Sequence, residues 1–171
     1  PNFQLGQLVL GDLLTLQAKP IQTLGELPSA FPKSAANAQA LADLREESAL
    51  RLRALRERPA VGTVPSQLLS LTARNKHVIA VDASKSRLYL LENTSSGAKL
   101  IADYYISVGR AGIGKYLEGD LKTPLGVYYL TSTVNPKGLP PLYGGGAIPI
   151  NYPNPYDLRL GKTGSGIWLH G

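Results

Sequence analysis

The chain contains no cysteine. Disulfides, thiolate zinc sites, iron–sulfur clusters and a thiol nucleophile are therefore excluded from these 171 residues. Methionine is also absent, and histidine occurs twice, at His77 and His170. A histidine-rich metal site is excluded, and a carboxylate site would have to be gathered from scattered acids. No apolar run approaches the ~18 residues of a membrane-spanning helix, so no integral span is expected. No Lys/Arg cluster interleaves with aromatics, which speaks against a nucleic-acid surface. The opening residue is Pro1, with no leader pattern after it, and the chain stops at His170-Gly171 directly after an apolar run. We expect the natural polypeptide to extend beyond both points.

What is present divides unevenly. All 9 tyrosines lie after residue 75, whereas only four of the 18 glycines (Gly6, Gly11, Gly25 and Gly62) lie before it. The first part is rich in Leu and Ala, which favour helix; the second is rich in Tyr, Val, Ile and Gly, which favour strands and turns. We therefore expect an α+β protein with a helical segment over 1–75 and a β-rich domain of mixed or antiparallel sheets over 76–171. The net charge of +6 is spread over both parts and suits an acidic wall or membrane surface, or simply solubility.

Leu5, Leu8, Val9, Leu13 and Leu16 recur at helical spacing, and Lys19-Pro20 ends the pattern. Pro28 and Pro32 mark a loop. A second helix is expected from Ser34 to Arg58, with acids early (Asp43, Glu46, Glu47) and arginines late (Arg51, Arg53, Arg56, Arg58), as the helix dipole prefers. Its stripe of Leu41, Leu44, Leu52 and Leu55 suits either a partner helix or packing on its own domain. Ala60–Gln67 reads as a linker. Strands are expected over Lys76–Val81, Arg87–Glu92, Lys99–Val108, Val127–Thr131 and Ile167–His170, with turns at Asp82–Ser86 and Asn93–Gly97. Asn135–Gly146 is read as a long mobile loop carrying Leu142 and Tyr143. No helix-length segment separates the strands, which argues against a doubly wound sheet.

Three patterns raise chemical questions. Gly109-Arg110-Ala111-Gly112-Ile113-Gly114-Lys115 resembles a phosphate-binding loop, but the next residue is Tyr116 where Ser or Thr must ligate magnesium. No helix can follow to hold phosphate, because Gly119 and Thr123-Pro124 intervene. A glycine-rich turn between strands is the simpler reading. Asn93-Thr94-Ser95 fits the N-glycosylation pattern, which is common by chance. His77 precedes an apolar run and reads as a strand-edge residue. His170 ends an apolar strand beside Gly171, after Gly161, Gly164 and Gly166. There a histidine can project outward while glycine admits a close backbone approach. It is either a base or a satisfied structural histidine.

Three stretches in order resemble the L,D-transpeptidase catalytic-domain family of bacterial cell-wall enzymes. They are the hairpin His77–Glu92 followed by Ala102–Gly109; Gly119-Asp120-Leu121-Lys122-Thr123-Pro124-Leu125-Gly126-Val127-Tyr128; and Ile148-Pro149-Ile150-Asn151-Tyr152-Pro153-Asn154, then Asp157, then Gly161–Gly171. Residues 1–14 also resemble the helical region that precedes this domain in a proteobacterial subgroup. The resemblance implies attack by a cysteine thiolate on peptidoglycan stem peptides, at an L residue preceding a D residue, through a thioester. An amine acceptor then gives a cross-link, and water gives carboxypeptidase activity. It implies His170 as the base, with Gly171 beside it and Asn151 and Tyr152 as candidate substrate contacts; Tyr143 is a further candidate contact from the long, glycine-rich loop that carries it. It implies no cofactor, no metal, and a periplasmic or cell-envelope setting. The family's nucleophilic cysteine follows the His-Gly pair, and this chain holds none. A noncatalytic wall-binding module and an L,D-carboxypeptidase therefore stand beside the transpeptidase reading. Oligomeric state is left open.

Overall fold

The computed structural model describes residues 3–26, 35–68 and 71–171. Helices come first and antiparallel sheets follow: α1 (Gln4–Leu16), α2 (Ala35–Arg56), β1 (His77–Asp82), β2 (Arg87–Thr94), β3 (Gly97–Tyr105), β4 (Ala147–Pro149), α3 (Pro155–Arg159) and β5 (Trp168–His170). The α+β class read from composition is the class observed. The Pro28 and Pro32 loop and Ser34 lie outside the described residues. No helix among the described residues is long and apolar enough to cross a membrane.

The polypeptide forms two compact units, Pro1–Ile106 and Ser107–Gly171. In the first, β1, β2 and β3 form an antiparallel sheet in sequence order, with a register shift between Leu90 and Leu91. The β1–β2 turn closes because Asp82 Oδ1 accepts hydrogen bonds from the Ser84 and Lys85 backbone N–H groups at 3.1 and 3.2 Å. The Ser84 hydroxyl contributes most to holding the Asp82 pKa below the ordinary carboxylate value.

Helix α2 is tied to this sheet by polar contacts that the composition boundary near residue 75 does not suggest. The Tyr105 hydroxyl donates to Glu47 Oε2 at 2.7 Å, and the Arg51 guanidinium lies 4.4 Å from the Tyr105 ring centroid. Arg87, only 2% exposed, donates to the Ala54 carbonyl at 2.9 Å and pairs with Asp103. The helix thus packs on its own unit, while Leu52 and Leu55 remain exposed.

In the second unit, the expected strand Val127–Thr131 is not a regular strand. Its Tyr129 N–H donates to the Asn151 side chain at 2.6 Å, while the Asn151 N–H returns to the Tyr129 carbonyl at 3.0 Å. A side-chain acceptor replaces a backbone carbonyl there, so pairing is reduced to an isolated bridge, Leu130 with Ile150. Conversely, α3 went unread. Its signal was Asn154-Pro155-Tyr156-Asp157: a cap residue, proline in the first turn, and an acid three residues after the cap. Asn154 Oδ1 accepts from the Tyr156 and Asp157 N–H groups at 2.9 Å, and Asp157 Oδ2 accepts from the Asn154 N–H at 3.2 Å.

Candidate active site

His170 ends β5, which pairs antiparallel with β4 so that Ala147 faces His170 and Pro149 faces Trp168. On its other side, the Val134 N–H donates to the Ala147 carbonyl at 2.8 Å. Backbone pairing therefore fixes the Cα of His170, and its side chain is exposed. The ring is also oriented. His170 Nδ1 lies 3.0 Å from the Gly171 carbonyl oxygen. A carbonyl only accepts, so as a hydrogen bond this contact requires the Nδ1–H tautomer, with the lone pair on Nε2.

The loop read as Asn135–Gly146 is built from two short 3-10 turns, Pro136–Gly138 and Pro141–Tyr143. Asn135 accepts from the Lys137 N–H at 2.9 Å and so caps the first. The second carries Tyr143, whose ring centroid is 4.9 Å from that of His170 and 5.4 Å from that of Trp168. The side chain of Leu142 lies outside the described residues. Gly144 has φ +56°, and a Cβ built on it would sit 3.2 Å from the Gly171 Cα. Only glycine allows both that backbone shape and that approach.

The remaining site candidates are engaged within the fold. Asn151 holds the backbone of Tyr129 on both sides, as described above. Tyr152 is 6% exposed; its hydroxyl donates to the Thr163 carbonyl at 3.2 Å, and its ring meets Tyr128 edge-on at 5.9 Å. Burial pushes its pKa up, as expected for a phenol sealed in the interior. The structure thus gathers Tyr143, His170 and Gly171 into one place, and gives Asn151 and Tyr152 visible bonds to backbone. His77 opens β1 on the other unit, exposed.

The phosphate-loop look-alike has a structural explanation. Lys115 is 6% exposed; its ammonium donates to Asp120 Oδ1 at 2.8 Å and to the Leu117 carbonyl at 3.0 Å. Asp120 also accepts from the Tyr116, Leu117 and Lys122 N–H groups. The Lys115 ammonium, outweighing burial, leads these donors in holding the Asp120 pKa well below the ordinary carboxylate range. The lysine is spent on its own loop, which sequence spacing alone does not reveal.

That loop is stitched to the segment leading into β5. The Thr163 N–H donates to the Tyr116 carbonyl at 2.9 Å, the Glu118 N–H to Thr163 Oγ1 at 3.0 Å, and the Tyr116 hydroxyl to the Leu160 carbonyl at 2.7 Å. A second ion pair, Lys162 Nζ to Asp157 Oδ1 at 2.7 Å, closes the end of α3. Burial would raise the Asp157 pKa, but the Lys162 ammonium, the Asn154 N–H and the nearby Tyr128 hydroxyl together bring it below the usual value. Sequence reading missed all four ionic residues as a group; the i to i+5 spacing of each pair was the available signal. No group of three or more His, Cys, Asp or Glu that could hold a metal occurs among the described residues.

The fold is an antiparallel, β-rich one that ends a strand in a His-Gly pair, and the comparisons place it in a family. The YkuD family model, the L,D-transpeptidase catalytic domain, matches residues 76–171. The chain belongs to this family, as the resemblance in its motifs implied. Among solved structures, a mutant of the helical cell shape determining protein Pgp2 from Campylobacter jejuni is 35% identical with a TM-score of 0.50, covering 56% of this chain and 32% of that one. Bd1075 from Bdellovibrio bacteriovorus is 35% identical with a TM-score of 0.45, covering 56% of this chain and 32% of that one. The chain thus spans about a third of the length of these solved relatives, 32% in both. No curated protein matches it.

Proposed function

We propose that this chain is the base-bearing part of an L,D-transpeptidase that acts on peptidoglycan stem peptides in the cell envelope through a cysteine thioester. The observation that carries the reading is the His170 geometry: an exposed imidazole at a strand end, with Nδ1 tethered to the Gly171 carbonyl at 3.0 Å, in the stretch the family model matches. The similarity to Pgp2, a helical cell shape determining protein, agrees with wall chemistry of this kind.

In the proposed reaction, His170 Nε2 takes the proton of a cysteine thiol. The thiolate adds to the carbonyl carbon of the L residue, and negative charge develops on the carbonyl oxygen. The C–N bond to the D residue then breaks as His170 returns its proton to the departing amine, leaving a thioester. An acceptor amine, or water, next attacks the thioester; His170 removes its proton and the thiolate leaves. The Nδ1–H···O=C tether supports this role twice. In the neutral ring it leaves the lone pair on Nε2, and it stabilises the ring when Nε2 carries a proton. These 171 residues contain no Cys, so the proposal assigns the thiol to sequence beyond them. Tyr143 and Gly171, beside the imidazole, are assigned to border the bound stem peptide. Asn151 and Tyr152 are assigned to the segment that shapes its path, through the bonds already described.

The test measures release of the terminal D-amino acid from a tetrapeptide muropeptide. The 171-residue chain is expected to be inactive, because a serine hydroxyl is far less ionised than an activated thiol. A longer chain that includes the thiol is expected to turn over, with cross-linked product marking transfer and free tripeptide marking hydrolysis. His170→Ala in that longer chain should lower the rate by roughly 10²–10⁴-fold, the usual worth of a general base. Unchanged turnover in the variant would refute the assignment of His170, and full turnover by the 171-residue chain would refute the thiol.

A further inference from the structure

An exposed histidine at the end of a three-residue strand should sample several ring orientations, and a bond to the carbonyl of the very next residue restrains it weakly in water. Yet productive base catalysis needs one orientation and one tautomer. Something else must hold the ring. Side chains alternate along a strand, so Trp168 and His170 project from the same face of β5, with Leu169 on the other. Tyr143 lies across both of them. Its ring meets His170 at 4.9 Å with an interplanar angle of 63°, and Trp168 at 5.4 Å with an angle of 48°. Tilted and edge-on arrangements at these distances are the favoured ones for aromatic pairs.

Tyr143 is itself placed by backbone rather than by its hydroxyl. Its N–H donates to the Pro140 carbonyl at 3.0 Å, the Gly144 N–H to the Pro141 carbonyl at 3.2 Å, and the Gly146 N–H to the Tyr143 carbonyl at 3.3 Å. Two consecutive prolines stiffen the entry to this turn. At its exit Gly144, with φ +56°, lies against Gly171, so the turn touches the His-Gly pair through both its ring and its main chain. The Tyr143 hydroxyl has no hydrogen-bond partner among the described residues.

We infer that Tyr143 is a positioning residue for His170: its ring, wedged on Trp168, holds the imidazole with Nδ1 toward the Gly171 carbonyl and so selects the Nδ1–H tautomer. The inference deepens the proposed function and rests on His170 being its base. Its ring, not its hydroxyl, does the positioning.

The test is nitrogen NMR of the imidazoles in the 171-residue chain with Gly171 amidated, so that its oxygen is a neutral carbonyl; it needs no activity. Only two histidines are present, and His77, on β1 of the other unit, serves as the internal control. In the wild type, His170 should show mainly Nδ1–H together with NOEs between its ring protons and those of Tyr143. Tyr143→Ala should lower the Nδ1–H to Nε2–H ratio at His170 by about threefold to tenfold, the equilibrium factor of one edge-to-face aromatic pair, and leave His77 unchanged. Tyr143→Phe should retain the wild-type ratio. An unchanged ratio in Tyr143→Ala, or loss of the ratio in Tyr143→Phe, overturns the inference. Should the alanine variant fail to fold, the wild-type NOEs decide: their absence overturns it and their presence with Nδ1–H dominance supports it. Turnover by a thiol-bearing longer chain carrying His170→Ala would refute the base role instead, while the tautomer result would still stand on its own. In the same longer chain, Tyr143→Ala should lower kcat more than it raises KM, whereas a tyrosine that only bordered the stem peptide would chiefly raise KM.

Discussion

Asp157→Asn should destabilise the second unit by about 3.5–5 kcal/mol. Removing one partner of a fully buried ion pair costs about 3–5 kcal/mol, because the other charge is left uncompensated. Here Asp157 is 2% exposed but the Lys162 side chain is 15% exposed, so water still reaches the ammonium and the lower part of that range applies. Asparagine keeps the shape and one acceptor oxygen. Its amide group must then point at either the Lys162 ammonium or the Asn154 N–H, so one of two donors loses its partner. Loss of a helix cap of this kind adds about 0.5–2 kcal/mol. Urea unfolding followed by Trp168 fluorescence is the assay, since the chain has a single tryptophan and it lies in β5. The double variant Asp157→Asn with Lys162→Met should recover at least about 1 kcal/mol relative to additivity, because neither charge is then stranded. A single-variant loss below about 1 kcal/mol, or strict additivity, would refute the reasoning. The pH dependence gives a second check. The Asp157 pKa is lowered on folding, so its contribution is present above the ordinary carboxylate value, about 3.9, and is lost as pH falls through the lower folded value. The Lys162 pKa is raised, with the Asp157 carboxylate as the leading cause, so its contribution is present below about 10.4 and is lost as pH rises through the higher folded value. The gap between wild type and Asp157→Asn should therefore be a plateau between those limits and close at both ends.

Gly144→Ala should cost about 1–3 kcal/mol, from the positive φ and from crowding against the Gly171 Cα at 3.2 Å, and should broaden the His170 NMR signals. A variant as stable as wild type would show that the turn adapts freely. Lys115→Met should lower the urea midpoint of the same Trp168 transition, since Asp120 and the Leu117 carbonyl lose their shared donor; an unchanged midpoint would mean that the pair is not part of the scaffold.

How far the sequence reached depended on whether the determinant was local. The α1 periodicity and the Asp82–Ser86 and Asn93–Gly97 turns involve residues close along the chain, and these elements lie within a few residues of where their patterns put them. The His-Gly pair at the end of an apolar run was legible for the same reason, and the motif order identified the family. Pairing partners were not legible. Val127–Thr131 has the composition of a strand, but whether it joins a ladder depended on the Asn151 side chain 22 residues away taking the Tyr129 N–H. Lys115 stands in a phosphate-loop pattern; Asp120 lies only five residues on, but the burial of the Lys115 ammonium against it is set by the fold. Tyr152 looked like a surface contact because an aromatic is at home in either setting; its burial follows from the Thr163 carbonyl and the Tyr128 ring.

By itself, the sequence determined the helical and β-rich segments, the family, and the absence of a thiol from these residues, because each of these follows from residue identity and short-range order. The tertiary structure alone decided that α2 and β1–β3 share one compact unit, that Lys115 and Asp157 are sealed into ion pairs, and that Tyr143 lies on the His170 ring. Those outcomes depend on which groups meet and which are buried once the chain has folded, and the free energy of such meetings belongs to the pair and not to either residue.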